Sequence, residues 1–288
     1  MIWWLITVFL DAMNEIMWQK AVQTAKNMAK TLYNAFRFVG GILIVIFLLA
    51  FGIYDYHELL NIDIYLYIIM IFITIIWLFT SSLRQIVYKK EKLSAILPYQ
   101  KINSLLIIIV SFFWFKDTSW TSFIITIFLL FLLAFSTIDF KKHQQANNKA
   151  LILFIESLVT IQQLLVVYII KLVTDKFYFL SYNIIGFIFT IVIALIFCWK
   201  SIPLQLKNQS ISFYKYRASA TILWWISTLI SAFLIKSYGA VITLLLWFLC
   251  VGVMLLLSYF IQKDRPAKKD IILAVVVTVL VWAAYMLK

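Results

Sequence analysis

Charge is scarce in this chain. Asp, Glu, Lys and Arg make up 13% of its 288 residues, where a soluble domain carries about 25%. Acids are the scarcer sign, 12 against 25 Lys and Arg, giving a formal net charge of +13. Histidine and cysteine are almost missing as well, at two each. Asp139 and His143 stand four apart, but no third ligand follows at a metal-site spacing. Cys198 and Cys250 sit inside long apolar runs without a CxxC, so they read as packing residues rather than a disulfide or metal pair. There is no P-loop, GxSxG, HExxH or aspartate-rich prenyl-diphosphate motif. The chain is therefore expected to be neither an ATP-driven pump nor an enzyme, and to need no cofactor or metal. Only three prolines and six glycines interrupt it. Pro98 and Pro203 fall near helix starts, where proline is tolerated.

Apolar residues fill the space that charge leaves. The hydrophobic share is 65% and the mean hydropathy +1.00. A soluble fold of this length cannot bury that much apolar surface. A bilayer core takes about 20 helical residues. By that measure ten spans lie near 2–19, 33–53, 63–83, 93–115, 119–138, 149–170, 178–199, 217–235, 239–261 and 270–287. Runs such as Ile127–Phe135 lack the alternation of a membrane barrel. The first run has no basic region or small-residue cleavage site of a signal peptide, so it is expected to remain as a span. The fold class is all-α, a polytopic membrane protein of ten transmembrane helices, and its positive charge points to an anionic membrane leaflet rather than to nucleic acid.

The chain resembles itself at a spacing of about 146 residues. Leu5–Asp11 matches Ala150–Glu156 with an acid at the same place, and Phe115-Lys116-Asp117 matches Gln262-Lys263-Asp264. A repeat of five spans is odd-numbered, so the second copy enters the membrane upside down. Residues 1–144 and 145–288 then form two inverted five-helix repeats, with the binding site at their interface near the midplane. Basic residues agree with this count. Connections after odd-numbered spans hold 19 of them and the opposite face 5, with Lys101 inside a span. By the positive-inside rule both termini face outward.

Ionisable groups at depth are functional candidates. Asp11 lies about 15 Å into the first helix at 1.5 Å per residue. Asn14 and Glu15 follow on the same face. Two carboxylates this close cannot both stay ionised cheaply in a low dielectric, so they suit a proton or a cation. Glu156 holds the repeat-equivalent place, with Gln162 and Gln163 further along, and Lys101 lies in the fourth span beside Gln100 and Asn103. The plainer alternatives are a Glu15 pair with Lys20 or Lys26, a snorkelling Lys101, and a buried ion pair between Lys101 and Asp11 or Glu156. Trp3, Trp4, Trp114, Trp120 and Trp199 suit interface belts. Trp77, Trp224 and Trp247 lie deeper, where aromatic faces attract organic cations or simply pack.

Ten spans in a 5+5 repeat, with Leu93-Ser94-Ala95-Ile96-Leu97-Pro98 opening the fourth and Phe115-Lys116-Asp117 closing it, resemble the drug/metabolite transporter superfamily in its EamA-like branch. Tyr238-Gly239-Ala240 and Lys263-Asp264-Arg265-Pro266 stand at matching places in the second half. The resemblance implies cytoplasmic termini, opposite to the charge bias. It also implies a secondary active transporter of small organic metabolites or organic cations, working by alternating access. Asp11 and Glu156 are then the residues for protons or substrate charge, with Asn14, Glu15, Lys101, Asn103 and Gln163 around them. Expected partners are a small-molecule substrate, protons, membrane lipids and a second copy of the chain. The rival expectation is a lipid-handling protein, either a flippase or an accessory subunit of an envelope enzyme. High Ile, Lys and Asn content points to a prokaryotic cell membrane.

Overall fold

The computed structural model describes residues 2–26, 28–52, 57, 63–91, 148–173, 175–238 and 249–263, with short stretches at 96, 106–107, 109–110, 112–114, 120–121, 123–125, 127–128, 271–272, 275–276 and 279. Every element among the described residues is helical. These are α1 (Ile2–Thr24), α2 (Lys30–Ala50), α3 (Ile64–Lys90), α4 (Lys149–Leu172), α5 (Asp175–Cys198), α6 (Ile202–Lys207), α7 (Ile211–Tyr238) and α8 (Leu249–Gln262). The expected spans at 93–115, 119–138 and 270–287 lie mostly outside the described residues.

Leu32–Ala50, Ile64–Lys90, Lys149–Leu172 and Leu180–Cys198 are long and apolar enough to cross a membrane. Large apolar side chains such as Leu43, Phe72, Ile196 and Phe260 point outward, while Asn34, Arg37, Gln85, Glu156, Asn183 and Arg217 are buried. That is the reverse of a water-soluble protein, and it is what hydrocarbon solvent selects. Trp3, Trp114, Trp120 and Trp199 are exposed, as expected of interface belts.

Helix α1 is held by its polar stripe. Thr7, Asn14, Glu15 and Gln19 recur at helical spacing and are all buried. The polar side of α1 reaches Ser227 of α7 through Asp11 and the end of α3 through Gln19, while Val8, Ala12 and Ile16 meet Met254 of α8. Among the described residues the α1–α7 seam is the most extensive. The helices outlast their apolar runs. Helix α3 continues past residue 83 because Arg84 and Gln85 find partners on other helices, and Lys89 and Lys90 suit its C-terminal dipole. Arg37 and Arg217, counted with the basic connections although the spans 33–53 and 217–235 reach them, lie inside α2 and α7 and are buried.

The packing has a pairing rule. Observed neighbours include α1–α7 and α3–α4, α2–α7 and α3–α5, α2–α3 and α5–α7, α1–α3 and α4–α7, and α2–α5. Exchanging α1 with α4, α2 with α5 and α3 with α7 converts the first member of each pair into the second, and α2–α5 into itself. Glycines permit that central crossing. Gly40 and Gly41 of α2 lie against Thr221 and Trp225, and Gly41 also meets Asn183 of α5. Gly186 of α5, 146 positions after Gly40, receives the Phe38 ring. Any Cβ at 41 or 186 would overlap these atoms, so backbones approach as small residues allow.

One end of the bundle is laced shut. Gln209 accepts from the Lys26 amide (2.8 Å) and donates to its carbonyl (2.5 Å), and Gln205 accepts from the Ala29 amide (2.6 Å). Gln19 donates to the Glu91 carbonyl (3.1 Å), Asn148 to its carboxylate (3.4 Å), and Lys20 to the Ile261 carbonyl (3.1 Å). The short helix α6, with a proline in its first turn, supplies one side of this lacing and has no counterpart among the expected spans.

Gly186→Leu should lower the melting temperature of purified protein by forcing Phe38 out of the α2–α5 crossing, a cost of about 3 kcal/mol. Gly52→Ala, at φ +65 in open space, should cost only about 1 kcal/mol. Thermal unfolding of both variants in one detergent makes the comparison.

Candidate functional site

A cluster of buried charge lies where α1, α2, α3, α4, α5 and α7 converge. Arg37 is seven residues into α2 and Glu156 seven into α4, each about 10 Å from the laced end at 1.5 Å per residue. Arg84 is six residues from the end of α3, and Arg217 six into α7. All three arginines therefore sit at similar depth on the same side of the bundle.

Arg37 occupies an aromatic slot. Its guanidinium carbon is 3.0 Å from the Trp224 ring centroid, 4.5 Å from that of Trp77 and 5.9 Å from that of Trp18. Trp77 and Trp224 lie 147 positions apart in sequence and face each other at 6.2 Å, so the two halves of the chain close on one cation. Phe38, Tyr182 and Trp225 back the slot, and the Trp225 indole donates to the Arg37 carbonyl at 2.9 Å. The deep tryptophans were expected either to pack or to attract an organic cation. The cation that Trp77 and Trp224 receive is the protein's own; Trp247 lies outside the described residues.

Arg84 donates to Glu156 at 2.7 Å in an ion pair whose carboxylate side chain is 5% exposed. Beside it, Gln85 donates to Asn34 (3.0 Å) and Asn34 to Ser82 (3.3 Å), tying α3 to α2. Arg217 stands 4.4 Å from the Tyr33 ring centroid and hydrogen-bonds the phenol, which donates to the Trp18 carbonyl at 3.2 Å. Arg37 is in electrostatic reach of Tyr182, Arg217, Glu15 and Arg84.

The expected site residues separate into three groups. Asp11 accepts from Ser227 of α7, Asn14 and Glu15 are buried on the same face of α1, and Glu15 acts on Arg37 and Arg84. Glu156 is committed to Arg84, which is the buried ion-pair alternative with a different partner from the one expected. Gln163 is half-buried one to two turns along α4, its side-chain oxygen unpartnered. Lys101 and Asn103 lie outside the described residues. What hydropathy missed are the three arginines. An i, i+3 or i, i+4 relation with neighbouring polar residues (Asn34 with Arg37, Ser81 with Arg84 and Gln85, Arg217 with Thr221) was the available signal.

No protein-family model matches the chain, and no curated protein matches it. A solved structure described only as "Crystal structure of protein" is similar to it, with a TM-score of 0.71 and 12% identity over 99% of this chain and 96% of that one. At that identity the likeness is one of fold along the whole length.

Glu156→Gln should leave Arg84 as an uncompensated buried charge and destabilise the protein by about 3–5 kcal/mol. The double variant Arg84→Leu/Glu156→Leu should recover most of that loss. Denaturant unfolding of Arg84→Leu, Glu156→Leu and the double variant gives the coupling directly.

Proposed function

We propose that the chain is a secondary active transporter of small organic solutes in a prokaryotic cell membrane, of the drug/metabolite type, alternating access between two inverted five-helix repeats. The carrying observation is the symmetry of the acid seams. Asp11 of α1 is bonded to α7, and Glu156 of α4 to α3. The exchange that pairs the helix contacts takes the first seam into the second, and Ser227 has Ser81 at its repeat-equivalent place, one turn from Arg84. The pairing of neighbours around a self-mated α2–α5 crossing supports inverted repeats about an axis in the membrane plane. Polar groups of both halves line the α1–α7 and α3–α4 seams, and a lacing of weak, mostly neutral hydrogen bonds closes one end. Such bonds contribute about 1 kcal/mol each, so the closed end can open without breaking a core.

Purified protein in liposomes with an internal pH dye tests this reading against pooled organic anions, organic cations, amino acids and neutral metabolites. The expected result is a pool-dependent pH change, reduced about tenfold or more in Asp11→Asn and altered in its pH profile in Glu15→Gln. Movement of labelled lipid between leaflets with no soluble flux would replace transport of solutes by lipid handling. Full flux with an unchanged pH profile in both variants would remove these acids from the coupling role.

A further inference from the structure

Resting on the transporter reading, and refining its substrate, we infer that Arg37 and Arg217 form an anion-binding site, so that the solute carries a carboxylate or a phosphate. The inference starts from which buried polar atoms lack a partner. Five of those in this region are N–H donors: Nε of Arg37, Nε of Arg84, Nε and Nη2 of Arg217, and Nε1 of Trp18. The Thr221 hydroxyl beside Gly40 is also unpartnered. Arg37 is 6% and Arg217 4% exposed. Buried donors of this kind are costly to leave unmade, and a guanidinium has no acceptor capacity with which to satisfy a neighbour. What completes such a set is a group that brings acceptors and negative charge. A carboxylate or phosphate does both, and matches the guanidinium fork in geometry.

The charge balance agrees. Within electrostatic reach of Arg37 are two further guanidiniums, Arg84 and Arg217, and the carboxylate of Glu15. Glu156 neutralises Arg84, and Asp11, one turn before Glu15 on the same face of α1, accepts from Ser227. Among the described residues, positive charge is therefore in excess by one at Arg37 and Arg217. The aromatic faces of Trp77 and Trp224 that an organic cation would need are already taken by Arg37. Because Arg37 belongs to α2 while its slot is closed by α3 and α7, an anion seated there bridges both halves of the chain.

Binding is read on detergent-purified protein, separately from flux. The probes share a body: benzoate and phenylphosphate as anions, benzylamine as the cation, benzyl alcohol as the neutral control, with inorganic phosphate as the bare anion. Expected are a calorimetric heat and a rise in melting temperature with at least one anion, absent with benzylamine and benzyl alcohol. Arg37→Gln and Arg217→Gln should each weaken that binding about tenfold or more. The melting temperature of each unliganded variant, measured alongside, separates the loss of the Arg37 contacts with Trp77 and Trp224 and of the Arg217 contact with Tyr33 from the loss of anion binding. Arg37→Lys, which keeps the charge but loses the fork, should retain part of the affinity. A response to phosphate alone marks a bare-anion site, and one that needs the organic body marks a solute site; both uphold the inference. Benzylamine binding with no anion response overturns it, as does anion binding unchanged in both glutamine variants. Absence of flux in liposomes with anion binding intact would count against transport and leave the site standing.

Discussion

Inside hydrocarbon a polar group has no water to fall back on, so every donor and acceptor in the bundle must be answered by another helix or by a ligand. That constraint orders this structure more than apolar packing does. Lipid tails are as apolar as the side chains they touch, so Leu43, Phe72 and Ile196 gain little by turning inward, and they face out. The helices are located instead by what they must satisfy: Asp11 by Ser227, Glu156 by Arg84, Gln85 by Asn34, and the Arg37 carbonyl by Trp225. Glycines at 40, 41 and 186 let α2 and α5 come close enough for these groups to meet.

Sequence reading reached the all-helical class and its apolar, membrane-length helices through the solvent, and it missed the buried arginines for the same reason. Hydropathy measures how much of a segment hydrocarbon tolerates, so the apolar centres of α2, α3, α4 and α5 were legible and their polar ends were not. A guanidinium near the end of an apolar run looks like a loop charge. Arg37, Arg84 and Arg217 were counted with the basic connections, yet each lies within a helix and inside the bundle. The acids were easier. Asp11 and Glu156 stand in the middle of apolar runs, where no connection explains them, and their 145-residue separation matches the repeat. Their partners were beyond the sequence because a partner is fixed by helix packing. Nothing in the pattern around Glu156 points to Arg84 rather than Lys101.

The same asymmetry bears on substrate charge. Read alone, three acids at depth favour a cation, and deep tryptophans strengthen the case. With the arginines in place the balance reverses. Glu156 is matched by Arg84, Asp11 by a hydroxyl, and the tryptophan faces by Arg37. Each feature that pointed to a positive solute is answered within the chain, and around Arg37 and Arg217 the unmatched guanidinium N–H groups outnumber the unmatched acceptors, such as the Asn183 side-chain oxygen. At the 146-residue spacing of the proposed repeat, the place that matches Arg37 is held by Asn183, a neutral residue on α5. One half supplies the charge and the other supplies an amide.

A ligand shifts a conformational equilibrium only as far as it binds one state better than the other. On the proposed reading, an anion on Arg37 meets that requirement through the slot itself. Trp77 and Trp224 belong to opposite halves and hold the guanidinium between them, so any movement of α3 away from α7 takes one ring off the cation. Cation–π contact on a desolvated guanidinium is worth about 2 kcal/mol or more, and it weakens when an anion neutralises the charge the rings are holding. On the proposed reading the anion and the two rings compete for one guanidinium charge, so a seated anion replaces part of the ring contact with its own bridge between α2 and α7. The lacing at the near end, built from glutamine and backbone bonds of about 1 kcal/mol each, is weak enough for a change of that size to decide whether it stays closed.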